Sequence, residues 1–310
     1  MQEDRTYYRH GKLLLTAEYF VLDGALALAV PTRRGQRFTV RPTLRDGNYD
    51  LIWTIRAPGD TQASRYTFLR EDWTHTRFGE DPVRARLQQL FYAAEKLRPR
   101  CTTQLLGRTV ECSLEFPPDW GLGSSSTLVH FVATFLGVNA YDLLELTFDG
   151  SGYDVACADA AGPLLYRRRG NDPLVTPVDW RPTWAAATWF VHRNQKQNSR
   201  EGIARYRETE TPQGVRERIS TISQQFCREI GHLRPAAKLL AEHERLVADA
   251  LGLPPVGEEP FGDFDGTLKS LGAWGGDFIW ALSERPAAYV RDYFNERGYP
   301  TVIAYNDMIL

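Results

Sequence analysis

Pro117-Pro118-Asp119-Trp120-Gly121-Leu122-Gly123-Ser124-Ser125-Ser126, followed by the apolar run from Thr127 to Val138, is a glycine-serine loop that feeds directly into a helix. Gly121 and Gly123 permit backbone angles and close approaches that other residues resist. Ser124, Ser125 and Ser126 bring hydroxyls to the unpaired N–H groups of a helix start, where the dipole favours an anion. Two readings stand. The segment is an ordinary serine-capped helix after a turn, or a cradle from Pro118 to Ser126 for a phosphate with a metal alongside.

The flanks support a strand-loop-helix unit. Thr109 to Phe116 (TVECSLEF) alternates cleanly before Pro117-Pro118, so a strand delivers the chain to the loop, and the helix after it is expected to end near Gly137. Pro82 to Leu97 has helical spacing with Pro82 suited to the first turn. Asn139 to Leu146 reads as a short helix leading to the turn Asp149-Gly150-Ser151-Gly152. Leu13 to Val30 reads as two strands around a turn, and Arg37 to Val40 and Tyr49 to Ile55 as half-exposed strands. Later, Ala185 to His192, Phe278 to Leu282 and Thr301 to Tyr305 read as strands. Gly214 to Ile230, Ala236 to Leu251 and Pro286 to Arg297 read as helices. Strands and helices are mixed in both halves, which indicates an α+β or α/β architecture.

With 310 residues the chain has room for about two domains and an ample core. The stretch Asn171–Trp184 is rich in Pro and Asp and marks a boundary, giving domains 1–175 and 176–310. A balance of 37 basic against 39 acidic residues argues against a nucleic-acid or membrane-attached surface. No apolar run approaches the roughly 20 residues that span a bilayer. The polar N-terminus is not a signal peptide, and the cysteines form no C-x-x-C pair, so reduced thiols and a cytoplasmic setting are expected. Histidines are dispersed, which disfavours structural zinc.

Three further segments stand in order with the loop: Gly11-Lys12-Leu13-Leu14-Leu15-Thr16-Ala17-Glu18-Tyr19 with Val21-Leu22-Asp23-Gly24; Gly150-Ser151-Gly152-Tyr153-Asp154-Val155-Ala156; and Lys269-Ser270-Leu271-Gly272-Ala273-Trp274-Gly275-Gly276-Asp277. Together they resemble the GHMP kinases, and within that group the phosphomevalonate and mevalonate kinases. The resemblance touches nearly the whole length. It implies a two-domain α+β fold, with an N-terminal β-α-β nucleotide domain and a C-terminal ferredoxin-like domain. It also implies an enzyme that uses ATP and Mg²⁺ to phosphorylate a small acidic alcohol or phosphate ester, with no nucleic-acid or membrane partner and room for a homodimer.

The resemblance carries roles onto particular residues. Backbone N–H groups of Gly121 to Ser126 would hold the nucleotide phosphates, helped by a second loop at Gly272, Ala273, Gly275 and Gly276. Ser125 (or Ser124) would ligate Mg²⁺, a hard ion that prefers oxygen donors, and Glu145 would complete its shell. In mevalonate kinases the spacing of that glutamate to the aspartate is slightly longer, and a surface helix glutamate is the plain alternative. Asp154 would accept the proton of the substrate hydroxyl or orient it, with a helix N-cap as its alternative. Lys12 would lie near Asp154, depress its pKa and stabilise the transferring phosphoryl group. Glu18 and Tyr153 are assigned to the substrate, with holding Lys12 or a structural role as the alternatives for Glu18; Lys196, Ser199 and Arg200 are assigned there too, since their donors suit a carboxylate or phosphate and otherwise make a polar surface loop. Two departures from the family pattern stand out: Trp274 replaces a glycine of the last loop, and Ala17 replaces the glycine before Glu18. Trp53 and Trp73 read equally as base-stacking groups or as packing. Competing readings are a sugar or homoserine kinase, a related decarboxylase, and a nucleotide-binding regulator without turnover.

Overall fold

The computed structural model describes residues 4–43, 49–194, 199–209, 212–272, 274 and 276–310. The chain opens with strands β1 (Arg5–Leu14), β2 (Ala27–Pro42), β3 (Leu51–Arg56) and β4 (Ser64–Phe68). Helix α1 (Pro82–Leu97), strand β5 (Arg108–Leu114) and helices α2 (Ser124–Leu136), α3 (Ala140–Glu145) and α4 (Tyr153–Ala158) follow. Then come β6 (Leu164–Arg167), β7 (Leu174–Pro177), β8 (Thr188–His192), α5 (Ser199–Glu208), α6 (Val215–Arg228) and α7 (Leu233–Leu251). The chain closes with β9 (Thr267–Leu271), β10 (Phe278–Leu282), α8 (Ala287–Glu296), β11 (Val302–Ala304) and α9 (Tyr305–Met308).

These elements form two compact units that interleave along the chain. The first holds the residues up to Gly11, Arg34–Pro118 and Gly123–Asp159; the second holds Lys12–Arg33, Asp119–Leu122 and Ala160–Leu310. The division differs from a single cut at residue 175. The Pro- and Asp-rich stretch that suggested the cut lies inside the second unit, where Trp180 and Trp184 are buried.

In the first unit β3 and β5 run parallel, from Leu51 opposite Arg108 to Arg56 opposite Ser113, with α1 in the connection between them. This is the expected β-α-β arrangement. β4 and the second half of β2 add antiparallel partners. α1 starts where Asp81 accepts a hydrogen bond from the Arg84 N–H and Pro82 takes the first turn, and its Leu87, Leu90, Phe91 and Ala94 stripe is buried. α2 meets that stripe's core with Val129, Phe131, Val132 and Leu136. Phe38 and Phe131 stack with centroids 4.1 Å apart. Trp53 and Trp73 are fully buried in this core, so the base-stacking reading fails for both. Each large apolar side chain placed there contributes about 1.5–3 kcal/mol.

The second unit is built on an antiparallel sheet of order β11-β8-β10-β9. β8 (TWFVH) and β10 (FIWAL) are buried along their whole length, which explains why they are apolar runs and do not alternate. Phe190 and Trp280 stack 5.7 Å apart on one face, and Val191, Ile279, Ala281, Phe261 and Phe294 fill another cluster.

Several boundaries differ from the sequence reading. Leu13–Val30 holds the end of β1 and the start of β2 around a turn, but the connection is longer than expected: β1 ends at Leu14, Ala17 and Tyr19 take left-handed φ values of 67° and 62°, Phe20–Asp23 is one tight 3-10 turn, and β2 begins only at Ala27. Ala185–Ala187 is a 3-10 turn and the strand begins at Thr188, whose hydroxyl donates back to the Ala185 carbonyl. β4, β6, β7 and β9 are short and were not expected as strands. No helix among the described residues is long and apolar enough to cross a membrane.

Candidate active site

In the first unit, Gly123 (φ 88°) caps α2 without any side-chain cap bond, so none of the three serines is spent as an N-cap. Their placements diverge. Ser125 is exposed on the first turn, and the Ser124 carbonyl accepts the Thr127 hydroxyl at 2.8 Å. Ser126 is buried, and its hydroxyl donates to Asp154 Oδ2. The Ser126 side chain is thus committed to the aspartate, while the phosphate role expected of this residue concerned its backbone N–H. Asp154 is not an N-cap either. Gly152 (φ 85°) caps α4, Asp154 is the second residue of that helix, and its Oδ1 accepts its neighbour Val155 N–H at 3.0 Å.

In the second unit, Lys12 grips the first glycine loop twice. Its backbone N–H donates to the Leu122 carbonyl at 2.9 Å and its Nζ to the Gly121 carbonyl at 2.8 Å. Gly121 has φ 64°, and a Cβ there would lie 2.1 Å from Asp277 Oδ2. The same carboxylate oxygen would be 3.1 Å from a Cβ on Gly272 (φ 66°). Asp277 therefore packs against a glycine of each loop, an approach that a side chain at Gly121 would block and one at Gly272 would crowd. The Pro118–Trp120 turn is braced by His192, whose ring nitrogens lie 3.4 Å from the Asp119 carbonyl and 3.3 Å from Asn194 Oδ1. Trp120 packs on His192 and Phe278. Trp274 (φ 54°) is buried and donates its N–H to the Gly272 carbonyl; Gly276 is buried, whereas Ala273 and Gly275 lie outside the described residues.

The second unit also buries a charged cluster. Lys269 Nζ lies 2.6 Å from Glu18 Oε1 and 3.2 Å from Glu244 Oε2, with all three side chains at most 3% exposed. Glu18 is thus paired inside the protein, which corrects its assignment to the substrate. Burial pushes the Glu18 carboxyl above its ordinary range, and the Lys269 charge opposes that shift. Burial also disfavours the Lys269 ammonium, but Glu18 and Glu244 outweigh it and leave its pKa raised. His243 Nε2 accepts the Ala17 N–H at 2.7 Å, which assigns the ring proton to Nδ1. Burial, and then the Lys269 charge, holds the His243 pKa well below its ordinary value. The two left-handed residues flanking Glu18 cost on the order of 1–3 kcal/mol each and are held by these contacts.

Of the remaining expected residues, Tyr153 opens α4, and Ser199 and Arg200 open α5. Lys196 lies outside the described residues. Glu145 is an exposed last residue of α3. Among the described residues no three or more His, Cys, Asp or Glu side chains gather to hold a metal. The oxygen donors present, a serine hydroxyl and one carboxylate, fit Mg²⁺, which keeps waters and takes phosphate oxygens as ligands.

Asp277 and Lys269 stand in a quoted motif but were given no role from sequence, and His192, His243 and Glu244 were not singled out. A signal existed on α7: with Ala236, Leu240 and Val247, His243 continues the apolar stripe, so a polar, titratable residue falls on the core face.

No family model matches the chain. It is 27% identical over 203 residues to a mevalonate kinase from Aeropyrum pernix; the match takes in 58% of this chain and about half, 54%, of that protein. Solved structures resemble it over nearly its whole length. The Streptococcus pneumoniae phosphomevalonate kinase in complex with phosphomevalonate and AMPPNP superposes with a TM-score of 0.68 at 16% identity, over 97% of this chain and 98% of that one. The Lactococcus lactis galactokinase complexed with galactose gives 0.67 at 14% identity, over 98% and 94%. The chain has the fold of the GHMP kinases, as its motifs implied.

Proposed function

We propose that the protein is an ATP-dependent small-molecule kinase of the GHMP type, acting on a mevalonate-like acceptor, phosphomevalonate or mevalonate. The observation that carries this reading is the Ser126–Asp154 hydrogen bond, which sets a carboxylate beside a helix start whose capping residue is a glycine. A protein that only bound anions at α2 would have no use for a carboxylate there. The sequence similarity to a mevalonate kinase supports the acceptor class.

In this reading, with mevalonate as the acceptor, Asp154 takes the proton of its hydroxyl as that oxygen bonds to the γ-phosphorus, and ADP leaves with the electrons of the broken P–O bond. Ser126 orients Asp154. Lys12 fixes the Gly121–Leu122 backbone and contributes positive charge to the transferring group. Ser125, with Glu145 as the further expected ligand, would hold Mg²⁺, whose chemistry is to neutralise charge on the phosphate oxygens.

The test is ADP release with ATP and Mg²⁺ against mevalonate, phosphomevalonate, homoserine and galactose. Turnover with a mevalonate-type acceptor, abolished in Asp154→Asn, is the expected result. Turnover only with galactose or homoserine would replace the acceptor class, and the equal structural likeness to a galactokinase makes that arm necessary. Tight ATP binding with no turnover on any acceptor would make the protein a nucleotide-binding regulator.

A further inference from the structure

Two adjacent residues of α7 reach two separate motif segments of the second unit. His243 accepts the Ala17 N–H, five residues after Lys12, and Glu244 accepts the Ser270 N–H at 3.1 Å and the Ser270 hydroxyl at 2.6 Å, two residues before Gly272. Lys269 then joins the segments directly, bonding Glu18 on one and Glu244 on α7. The cluster is expensive in its present form. It buries two carboxylates around one ammonium, and Glu18 Oε2 and His243 Nδ1 have no hydrogen-bond partner among the described residues. Apolar side chains of similar volume would hold a core at least as well. What such side chains could not do is fix a register, because dispersion contacts are non-directional whereas these bonds each specify one geometry.

We propose that Glu18, His243, Glu244 and Lys269 form a positioning device that sets the Lys12 strand end and the Gly272 loop in one register for phosphoryl transfer. The inference rests on the kinase reading, since only a reaction with tight geometric demands would need it. None of the four touches substrate in this account. They act through the two backbone segments, on one side through the strained Ala17–Tyr19 turn and on the other through the end of β9.

The experiment compares the whole chain with a Glu18→Gln/Glu244→Gln/Lys269→Met triple variant, which removes all three charges and leaves none unpaired. Thermal melting, binding of a fluorescent N-methylanthraniloyl ATP with Mg²⁺, and turnover on the acceptor that the wild type uses are measured. Expected is a melting temperature within a few degrees of wild type, with kcat lower by about a hundredfold, the scale of an ångström-sized misplacement, and KM for ATP changed less than threefold. A folded triple variant with kcat within twofold of wild type overturns the proposal. Glu18→Asp covers a triple variant that fails to fold: it keeps every charge and shortens one reach, and kcat is expected to fall about tenfold at unchanged KM. An unchanged kcat in Glu18→Asp overturns the proposal as well. A wild type that neither binds the nucleotide nor turns over overturns the kinase reading first and this inference with it, whereas an active wild type with an equally active variant overturns only the latter.

Discussion

Ser126 and Asp154, 28 residues apart, are joined by a side-chain hydrogen bond that ties the first turn of α2 to the first turn of α4. Both helices begin at a left-handed glycine, Gly123 and Gly152, so each side chain emerges at the very start of its helix. If Asp154 is the proton acceptor, Asp154→Asn keeps the shape and the Ser126 bond while removing the base. Turnover is expected to fall by roughly 10²–10⁴-fold with little change in melting temperature. Ser126→Ala leaves the carboxylate ionisable but unoriented, and a loss of about tenfold is expected. Steady-state ADP release beside thermal melts separates the two; equal losses in activity and stability would refute the assignment.

Ser125 is exposed and Ser126 is buried, and their substitutions should separate accordingly. Ser125→Ala is expected to raise the Mg²⁺ concentration for half-maximal activity about tenfold, equivalent to ~1.4 kcal/mol. Ser126→Ala is expected to leave that concentration near its wild-type value. A Mg²⁺ titration at saturating ATP reads this out, and an unmoved midpoint in Ser125→Ala would remove it as a ligand.

The contact of Asp277 with Gly121 predicts a non-additive pair. Gly121→Ala drives a methyl to within 2.1 Å of the carboxylate and strains a backbone at φ 64°. A loss of about 2–4 kcal/mol in urea unfolding is expected from overpacking and backbone strain together. Adding Asp277→Ala removes the clash, so the double variant is expected to recover all but the backbone share, about 1 kcal/mol. Additive losses would mean that the two residues do not press on each other.

The protein is expected to lose stability in mild acid through His130 on α2. Burial, and then the charge of Arg9, lowers its pKa to about 4 from an ordinary 6.5. Between those values the unfolded chain binds a proton that the folded chain refuses. Stability therefore falls as pH drops from 6.5 towards 4, by at most about 1.4 kcal/mol per unit for this one group, and is flat in this respect above 6.5. His243, also held neutral, adds in the same direction. Urea unfolding at several pH values should show a shallower slope for His130→Asn than for wild type; parallel slopes would contradict the shift.

Much of the site was legible in the sequence because its chemistry is local. A glycine loop, a helix start and an aspartate after Gly-Tyr are contiguous features with their own backbone requirements, and α1, α2, α7 and the Gly137 helix end followed from spacing and caps. What misled was burial without periodicity. In Leu13–Val30 the apolar run Tyr19–Leu22 lies between Glu18 and Asp23, and nothing in its pattern separates a strand from the turn at Phe20–Asp23, whose Phe20 and Val21 are buried. Trp53 and Trp73 carry no mark that distinguishes a ligand stack from a core. The role of Glu18 stayed open in the sequence because its partner Lys269 stands 251 positions later.

The order of the motifs, the helix starts that could receive an anion and the α+β class are properties of neighbouring residues, and the chain alone determined them. Which serine faces the aspartate, which carboxylate presses on the glycines and which lysine lies between two buried glutamates were decided only on folding. Those are relations between distant segments, set by how helices and strands pack, and no local propensity encodes them.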